Sequence, residues 1–186
     1  MNVQSSFSII VAYEQTQRGI GFQNSIPWRI TEDMTFFRET TTRTQDPQKI
    51  NAIIMGKHTW QSLPKKYLPK RINICLTTQS TENTSEILFA HSLEDALQKT
   101  STLPNVESVF VIGGSKVYQE AILHPQCQEI IIHELLFEPT HIPHTDAFFP
   151  GIPEQEYQEL EILPKMNIDK YIQIQPRRFL RKPCPP

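Results

Sequence analysis

Residues 108–123 read SVFVIGGSKVYQEAIL, and this stretch decides the fold. Ser108 to Ile112 is a short, nearly continuous apolar run, the pattern of a strand covered on both faces. Gly113-Gly114 breaks the run, and Lys116 to Leu123 follows as a helix. The same strand, turn, helix order recurs upstream. Phe7 to Ala12 (FSIIVA) predicts a first strand. Thr31 then opens a helix as its N-cap, with Glu32 and Asp33 in the first turn and Met34, Phe36 and Phe37 as an apolar stripe. Asn51 to Met55 is a second buried strand, stopped by Gly56 and followed by a short helix from Lys57 to Leu63. Arg71 to Leu76 and Ile87 to Ala90 read as strands, Ser92 caps a helix to about Thr100, and Glu129 to Leu136 is a sixth strand. Tyr171 to Leu180 predicts one or two more, with Pro176 marking an edge or a bulge. This alternation predicts an α/β fold: a mixed, mostly parallel central sheet with helices on both faces and antiparallel C-terminal edge strands.

Composition sets the outer limits. The chain has 186 residues, 38% hydrophobic and 20% charged, which fits one globular domain over 1–186 and argues against a disordered chain. Eighteen basic against twenty acidic side chains give a net charge of −2, so no strong field for nucleic acid or membrane is expected. The apolar runs are strand-sized and fall short of the ~20 residues that span a bilayer. The opening MNVQSSFSII lacks the charged-then-apolar order of a secretory signal. Cys75, Cys127 and Cys184 form no CxxC pair and suit a reducing cytosol better than a disulfide framework. A soluble cytoplasmic protein is expected. The basic run Arg177 to Lys182 reads as a solvated last strand rather than an RNA contact, because the rest of the chain offers no basic face.

Glycine is scarce, and five of the six glycines fall in three clusters: Gly19 with Gly21, Gly56, and Gly113 with Gly114. Such clusters mark sharp turns or close approach to a ligand. In open α/β sheets ligands bind beyond the carboxyl ends of strands. The segment after Ala12, the Gly56 turn and the Gly113-Gly114 turn all qualify, and the last two lead into helix starts that attract phosphate. Lys57, His58 and Thr59 follow Gly56; Leu76, Thr77, Thr78 and Gln79 end the next strand; Ser115 and Lys116 follow the glycine pair. None matches GxGxxG or a P-loop. Each cluster alone also reads as a helix cap with a solvated lysine, and three at successive strand ends weigh against that. Asp33 reads either as a dipole-stabilising helix acid or as a carboxylate facing an apolar pocket, gripping an amidine-like pair of donors.

Several of these segments together resemble dihydrofolate reductase, from about Phe7 to Pro150 and more weakly beyond. The ordered motifs are Ile10-Val11-Ala12, Gly19-Ile20-Gly21, Ile26-Pro27-Trp28, Asp33 with Phe37, Met55-Gly56-Lys57-His58-Thr59-Trp60, Arg71-Ile72-Asn73, Ile112-Gly113-Gly114 with Tyr118, and Asp146-Ala147-Phe148-Phe149-Pro150. The resemblance implies NADPH-dependent reduction of 7,8-dihydrofolate to tetrahydrofolate, by hydride transfer to C6 and protonation at N5. Asp33 would be the acid that holds the pterin. Ile10, Val11, Ala12, Trp28, Ile112 and Tyr118 would line its pocket, Met34, Phe37, Leu63 and Leu68 would form the slot for the aminobenzoyl ring, and Arg71 would pair with the glutamate tail. Ala12, Ile20, Gly21, Ile112 and Tyr118 would surround the nicotinamide. Gly56, Lys57, His58, Thr59, Gly113, Gly114, Ser115 and Val117 would hold the pyrophosphate side, with Leu76, Thr77, Thr78, Gln79 and Lys116 around the adenosine, in a subdomain of roughly residues 45–105. The resemblance further implies a cis Gly113-Gly114 bond, a mobile loop over Gln15 to Ser25, a monomer without a fused thymidylate synthase, antifolates as ligands, and no bound metal.

Two stretches depart from the family. Its sixth strand usually carries a threonine that bonds the catalytic acid. Here the stretch is Ile131-Ile132-His133-Glu134, so either the register slips or His133 or Ile132 takes that place, and a histidine there would pair with Asp33. Phe137 to Thr145 is expected as an enlarged solvated loop, with His141 and His144 lacking a third ligand for a metal. A pyrimidine reductase of riboflavin synthesis shares the fold, but is not expected to combine the Pro-Trp-x4-Asp corner with this arginine. A folate-binding homologue without turnover is the remaining alternative, and Asp33 together with Arg71 argues against it.

Overall fold

Strand-sized runs of Ile, Val and Ala occupy the middle of the sheet because neither of their faces tolerates water. The computed structural model describes residues 6–79, 81–160 and 163–183. In chain order its elements are β1 (Phe7–Glu14), β2 (Gly19–Gly21), α1 (Thr31–Thr42), β3 (Ile50–Gly56), α2 (Lys57–Ser62), β4 (Ile72–Leu76), β5 (Ile87–Ala90), α3 (Leu93–Ser101), β6 (Val106–Val111), α4 (Ser115–Leu123), β7 (Cys127–Phe137), β8 (Ala147–Phe148), β9 (Tyr157–Glu159), β10 (Met166–Asn167) and β11 (Ile172–Arg181). Among the described residues nine strands form the main sheet, in the order β10-β11-β7-β1-β6-β3-β4-β5 with β9 beside β11. The pairs from β7 through β5 are parallel, and β11, β9 and β10 add on antiparallel.

The period of two splits each central strand between two cores. Ile9, Val11, Ala52, Ile54, Val109, Val111, Ile130 and Ile132 face one side, where Leu93, Ala96 and Leu97 of α3 and Val117, Tyr118, Ala121 and Ile122 of α4 cover them. Ile10, Ile53, Met55, Phe110 and Ile131 face the other, under Phe36 and Phe37 of α1 and Trp60 of α2. Helices therefore lie on both faces, as the alternation predicted. β1 and β6 are neighbours, with Ile9 opposite Val111. The helices that follow them, α1 and α4, leave to opposite faces, so a crevice opens beyond Ala12 and Ile112.

Two local expectations change. Thr31 is already helical, and extended Ile30 is the N-cap, with no side-chain cap bond. Buried Ile30 anchors that end, while Glu32 and Asp33 sit in the first turn, where the helix dipole favours them. Ser92, by contrast, caps α3 as read, accepting from the Asp95 amide. The last segment is one strand, β11. Its outer side pairs with β10 at residues 173–174 and with β9 at 179–181, so Pro176 occupies the gap between them, where no sheet donor is required. Cys75 and Cys127 are buried free thiols, and Cys184 lies outside the described residues.

Candidate active site

α1 turns Asp33 toward β7. In β7 the alternation places Ile131, His133 and Leu135 on the α1 face, and Ala12 and Pro176 flank His133 in the sheet. The register has not slipped, and His133 meets the acid: its Nδ1 lies 2.8 Å from Asp33 Oδ1. His133 is 2% exposed, and the Phe36 ring stacks on the imidazole at 4.0 Å between centroids. A carboxylate only accepts hydrogen bonds, so the imidazole donates from Nδ1.

One helical turn on, Phe37 joins Leu63, Leu68, Trp60 and Ile112 around Ile10, Ile53, Met55 and Phe110. The guanidinium of Arg71 stands 5.9 Å from the centre of the Phe37 ring. Arg71 is 9% exposed, yet among the described residues it has no carboxylate partner. Its Nε donates to Pro69 O at 3.0 Å and one terminal nitrogen to Thr41 Oγ1 at 2.8 Å. Burial and the nearby Arg38 charge both lower its pKa. This is a desolvated cation held in place with donors to spare.

Beyond β3 and β6 two glycine turns touch. The Gly56 amide donates to Gly113 O at 2.8 Å, and the Gly113-Gly114 bond is cis. A Cβ on Gly56 would meet Val117 at 3.0 Å; one on Gly113, where φ is +120°, would meet the Tyr118 ring at 3.2–3.3 Å. α4 starts at Ser115 without a side-chain cap and without an acid in its first turn, so its leading N–H groups are open to an anion. Lys57 donates to Gln79 Oε1 at 2.6 Å, joining two clusters the sequence kept apart. Tyr118 is buried and its hydroxyl donates to Ile10 O at 2.8 Å. Burial and the Asp33 charge both raise its pKa, so it stays a donor.

The dihydrofolate reductase family profile matches residues 6–174. The chain belongs to the dihydrofolate reductase family. It is 37% identical over 154 residues to the dihydrofolate reductase of Drosophila melanogaster, covering 80% of this chain and 81% of that one. The Candida albicans dihydrofolate reductase is 35% identical over 170 residues, covering 89% and 84%. A bifunctional dihydrofolate reductase-thymidylate synthase of Daucus carota is 37% identical over 83% of this chain and 30% of its own length. Membership makes the protein an oxidoreductase of folate metabolism that takes a small-molecule substrate and a pyridine nucleotide. No helix among the described residues is long and apolar enough to cross a membrane.

Within the dihydrofolate reductase frame, the other expected residues divide by position. Trp28 packs with Ile30, Leu135 and Phe137, and Ala12 lies beside them. Met34 is 56% exposed, away from the buried stripe it was assigned to. Val11 and Val117 belong to the far core, and Ile20 and Leu76 pack against it. Ser115 is occupied: its hydroxyl accepts from the Phe148 amide at 2.9 Å. Buried Thr77 accepts from the Gln79 amide within its turn, while His58, Thr78 and Lys116 are exposed and Thr59 faces Gly114. Gly21 and Gly19 pair with β8, and His141 and His144 diverge, one stacked on Tyr171 and the other tilted against Phe22.

Three contributors were not assigned from sequence. Asn73 clasps both the amide and the carbonyl of Leu68 and the carbonyl of Arg71, fixing the loop that carries those two side chains. A lone amide inside the apolar run RINICL was its signal. Thr41 holds Arg71. Glu14, 1% exposed, accepts from the Thr16, Gln17 and Gly19 amides and the Thr16 hydroxyl, so it pins the start of the loop expected to be mobile.

Proposed function

We propose that the protein reduces 7,8-dihydrofolate to 5,6,7,8-tetrahydrofolate with NADPH. The observation that carries this reading is the line along α1: the Asp33 carboxylate, then the Phe37 ring one turn later, then against that ring the Arg71 guanidinium, which has no carboxylate partner among the described residues. It suits a ligand with a pair of N–H donors at one end, an aromatic segment in the middle and a carboxylate at the other end. Dihydrofolate has that order. Asp33 grips the 2-amino group and the adjacent ring N–H, which draws electron density toward the ring and favours protonation at N5. The ring beyond it lies among Phe37, Leu63 and Leu68, whose apolar surface excludes water. Arg71 has five N–H donors, two already engaged, so three remain for a bidentate carboxylate.

The chain's residues fit a nicotinamide dinucleotide phosphate on the other side of the crevice. A Cβ would fill the approach at Gly56 and Gly113, the α4 amides are uncapped, and Lys57, Thr59, Thr78 and Lys116 supply a donor-rich rim without an acid in the first turn of α2 or α4. Such a rim favours the extra phosphate of NADPH, which adds about −1.5 to −2 charges. When bound, that group supplies the hydride. Tyr118 and Ala12 wall the meeting point, and the loop pinned by Glu14 closes over it.

The test is absorbance loss at NADPH oxidation, with dihydrofolate as acceptor, with NADH in place of NADPH, and with methotrexate titrated in. Turnover with dihydrofolate, a preference for NADPH and stoichiometric methotrexate inhibition support the reading. Turnover only with a pyrimidine acceptor overturns it in favour of the riboflavin-type reductase. Methotrexate binding without turnover overturns it in favour of a folate-binding homologue.

A further inference from the structure

We propose that His133 is a positioning residue that fixes the Asp33 carboxylate and makes its grip on substrate sensitive to pH; this rests on Asp33 being the group that holds the heterocycle. The imidazole is 98% buried with Phe36 stacked on it, and its Nδ1 is committed to Asp33 Oδ1 at 2.8 Å. A carboxylate on a helix side chain is otherwise free to rotate. With Oδ1 held, Oδ2 is directed to the ligand, so one carboxylate presents one orientation.

The anchor is also ionisable. Imidazole is the side chain that ordinarily changes charge between about pH 5 and 8. A second proton, on Nε2, leaves the Nδ1 bond in place and takes the pair from one net negative charge to none. The groups facing the ring are few. Asp33 meets it from α1, Phe36 covers it, and its sheet neighbours Ala12 on β1 and Pro176 on β11 do not titrate. Tyr118 on α4 lies within range of the Asp33 charge but stays protonated. Glu134 and Arg177 lie on the opposite face, where Arg177 pairs with Glu134 and Glu159. Any proton gained at His133 Nε2 therefore changes the charge that a donor-bearing heterocycle meets at Asp33.

His133→Asn keeps an N–H donor at the Nδ1 position and cannot titrate; His133→Leu removes the donor. Three readouts decide the matter. In steady-state turnover at pH 8, the Leu variant loses roughly ten- to a hundredfold in kcat/KM, the value of a hydrogen bond to a charged group, and the Asn variant recovers all but about threefold of that. In binding of 2,4-diaminopyrimidine, the ratio of wild-type to Asn-variant Kd rises about tenfold from pH 8 to pH 5.5, and the ratio cancels the probe's own ionisation. In ¹⁵N NMR, wild-type His133 carries its proton on Nδ1 at pH 8, and Asp33→Asn releases that preference.

Equal losses in the Leu and Asn variants, or a Kd ratio flat with pH, would overturn the proposal, as would an Nε2 tautomer in the wild-type protein. The binding and NMR arms need no turnover. A wild-type protein that fails to reduce dihydrofolate thus refutes the proposed reaction, while those two arms still decide the role of His133.

Discussion

Arg71 offers the sharpest separation of binding from chemistry, through its replacement by Leu. Its guanidinium is buried, lies over Phe37, spends two of its five donors on Pro69 O and Thr41 Oγ1, and has no acid beside it among the described residues. A bidentate carboxylate pair on the remaining donors comprises two charge-assisted bonds of about 1.5–3 kcal/mol each. Their loss together is worth about 3–5 kcal/mol, or about two to three and a half powers of ten in affinity. The contact lies at the far end of the ligand from the reacting ring, so it stabilises ground and transition states alike. Arg71→Leu is therefore expected to raise KM for dihydrofolate at least a hundredfold and to change kcat less than about threefold, in initial-rate assays with saturating NADPH. A dihydropterin lacking the glutamate tail should be reduced equally by both proteins. The unliganded variant should melt no lower than wild type, because a buried charge without a partner costs desolvation free energy that leucine does not. An unchanged KM, or a kcat that falls in step with kcat/KM, would refute the reasoning about where the substrate's carboxylate lies.

Two further outcomes follow from the loop and the glycine turns. Burial alone would raise the Glu14 pKa, but its bonds from Thr16, Gly19 and Gln17 outweigh that and leave it below the ordinary value. Its contribution to stability is thus complete above the unfolded value of about 4.3 and fades as pH falls through the lower folded value. Glu14→Gln should cost about 1–3 kcal/mol in urea melts at pH 7, with the gap to wild type narrowing below about pH 4. A gap constant with pH would contradict this. Gly113→Ala places a Cβ at φ +120° against the Tyr118 ring, and should lower stability by about 1–3 kcal/mol and weaken NADPH binding measured by fluorescence titration. An unaffected melting curve and Kd would contradict it.

The sequence made the parallel sheet readable because β1, β3, β4 and β6 are buried on both faces and so spell near-continuous apolar runs. The C-terminal half resisted for a physical reason. β8 and β10 are two residues long and β9 is three, so their pairing comes from β2 and β11 rather than from any local pattern. The α1 start was misread because Thr31 has cap chemistry, whereas buried Ile30 holds the position through packing. In the site, Asp33 stood out as a charge among apolar neighbours with two roles open to it, and the role of Arg71 came from the family resemblance alone. What they pair with was not: whether His133 or Ile132 faces the acid depends on a one-residue register that only strand pairing sets. Thr41, Asn73 and Glu14 act through backbone and side-chain bonds between segments, which leave little trace in composition.

The central claim is that the Asp33 carboxylate drives reduction of the bound heterocycle. Stopped-flow NADPH oxidation by wild-type protein and Asp33→Asn, each preloaded with NADPH and mixed with dihydrofolate, tests it most directly. The Asn variant should bind NADPH as wild type does and transfer hydride at least about a hundredfold more slowly, the usual weight of a positioned acid–base group. A hydride-transfer rate within about threefold of wild type would contradict the account.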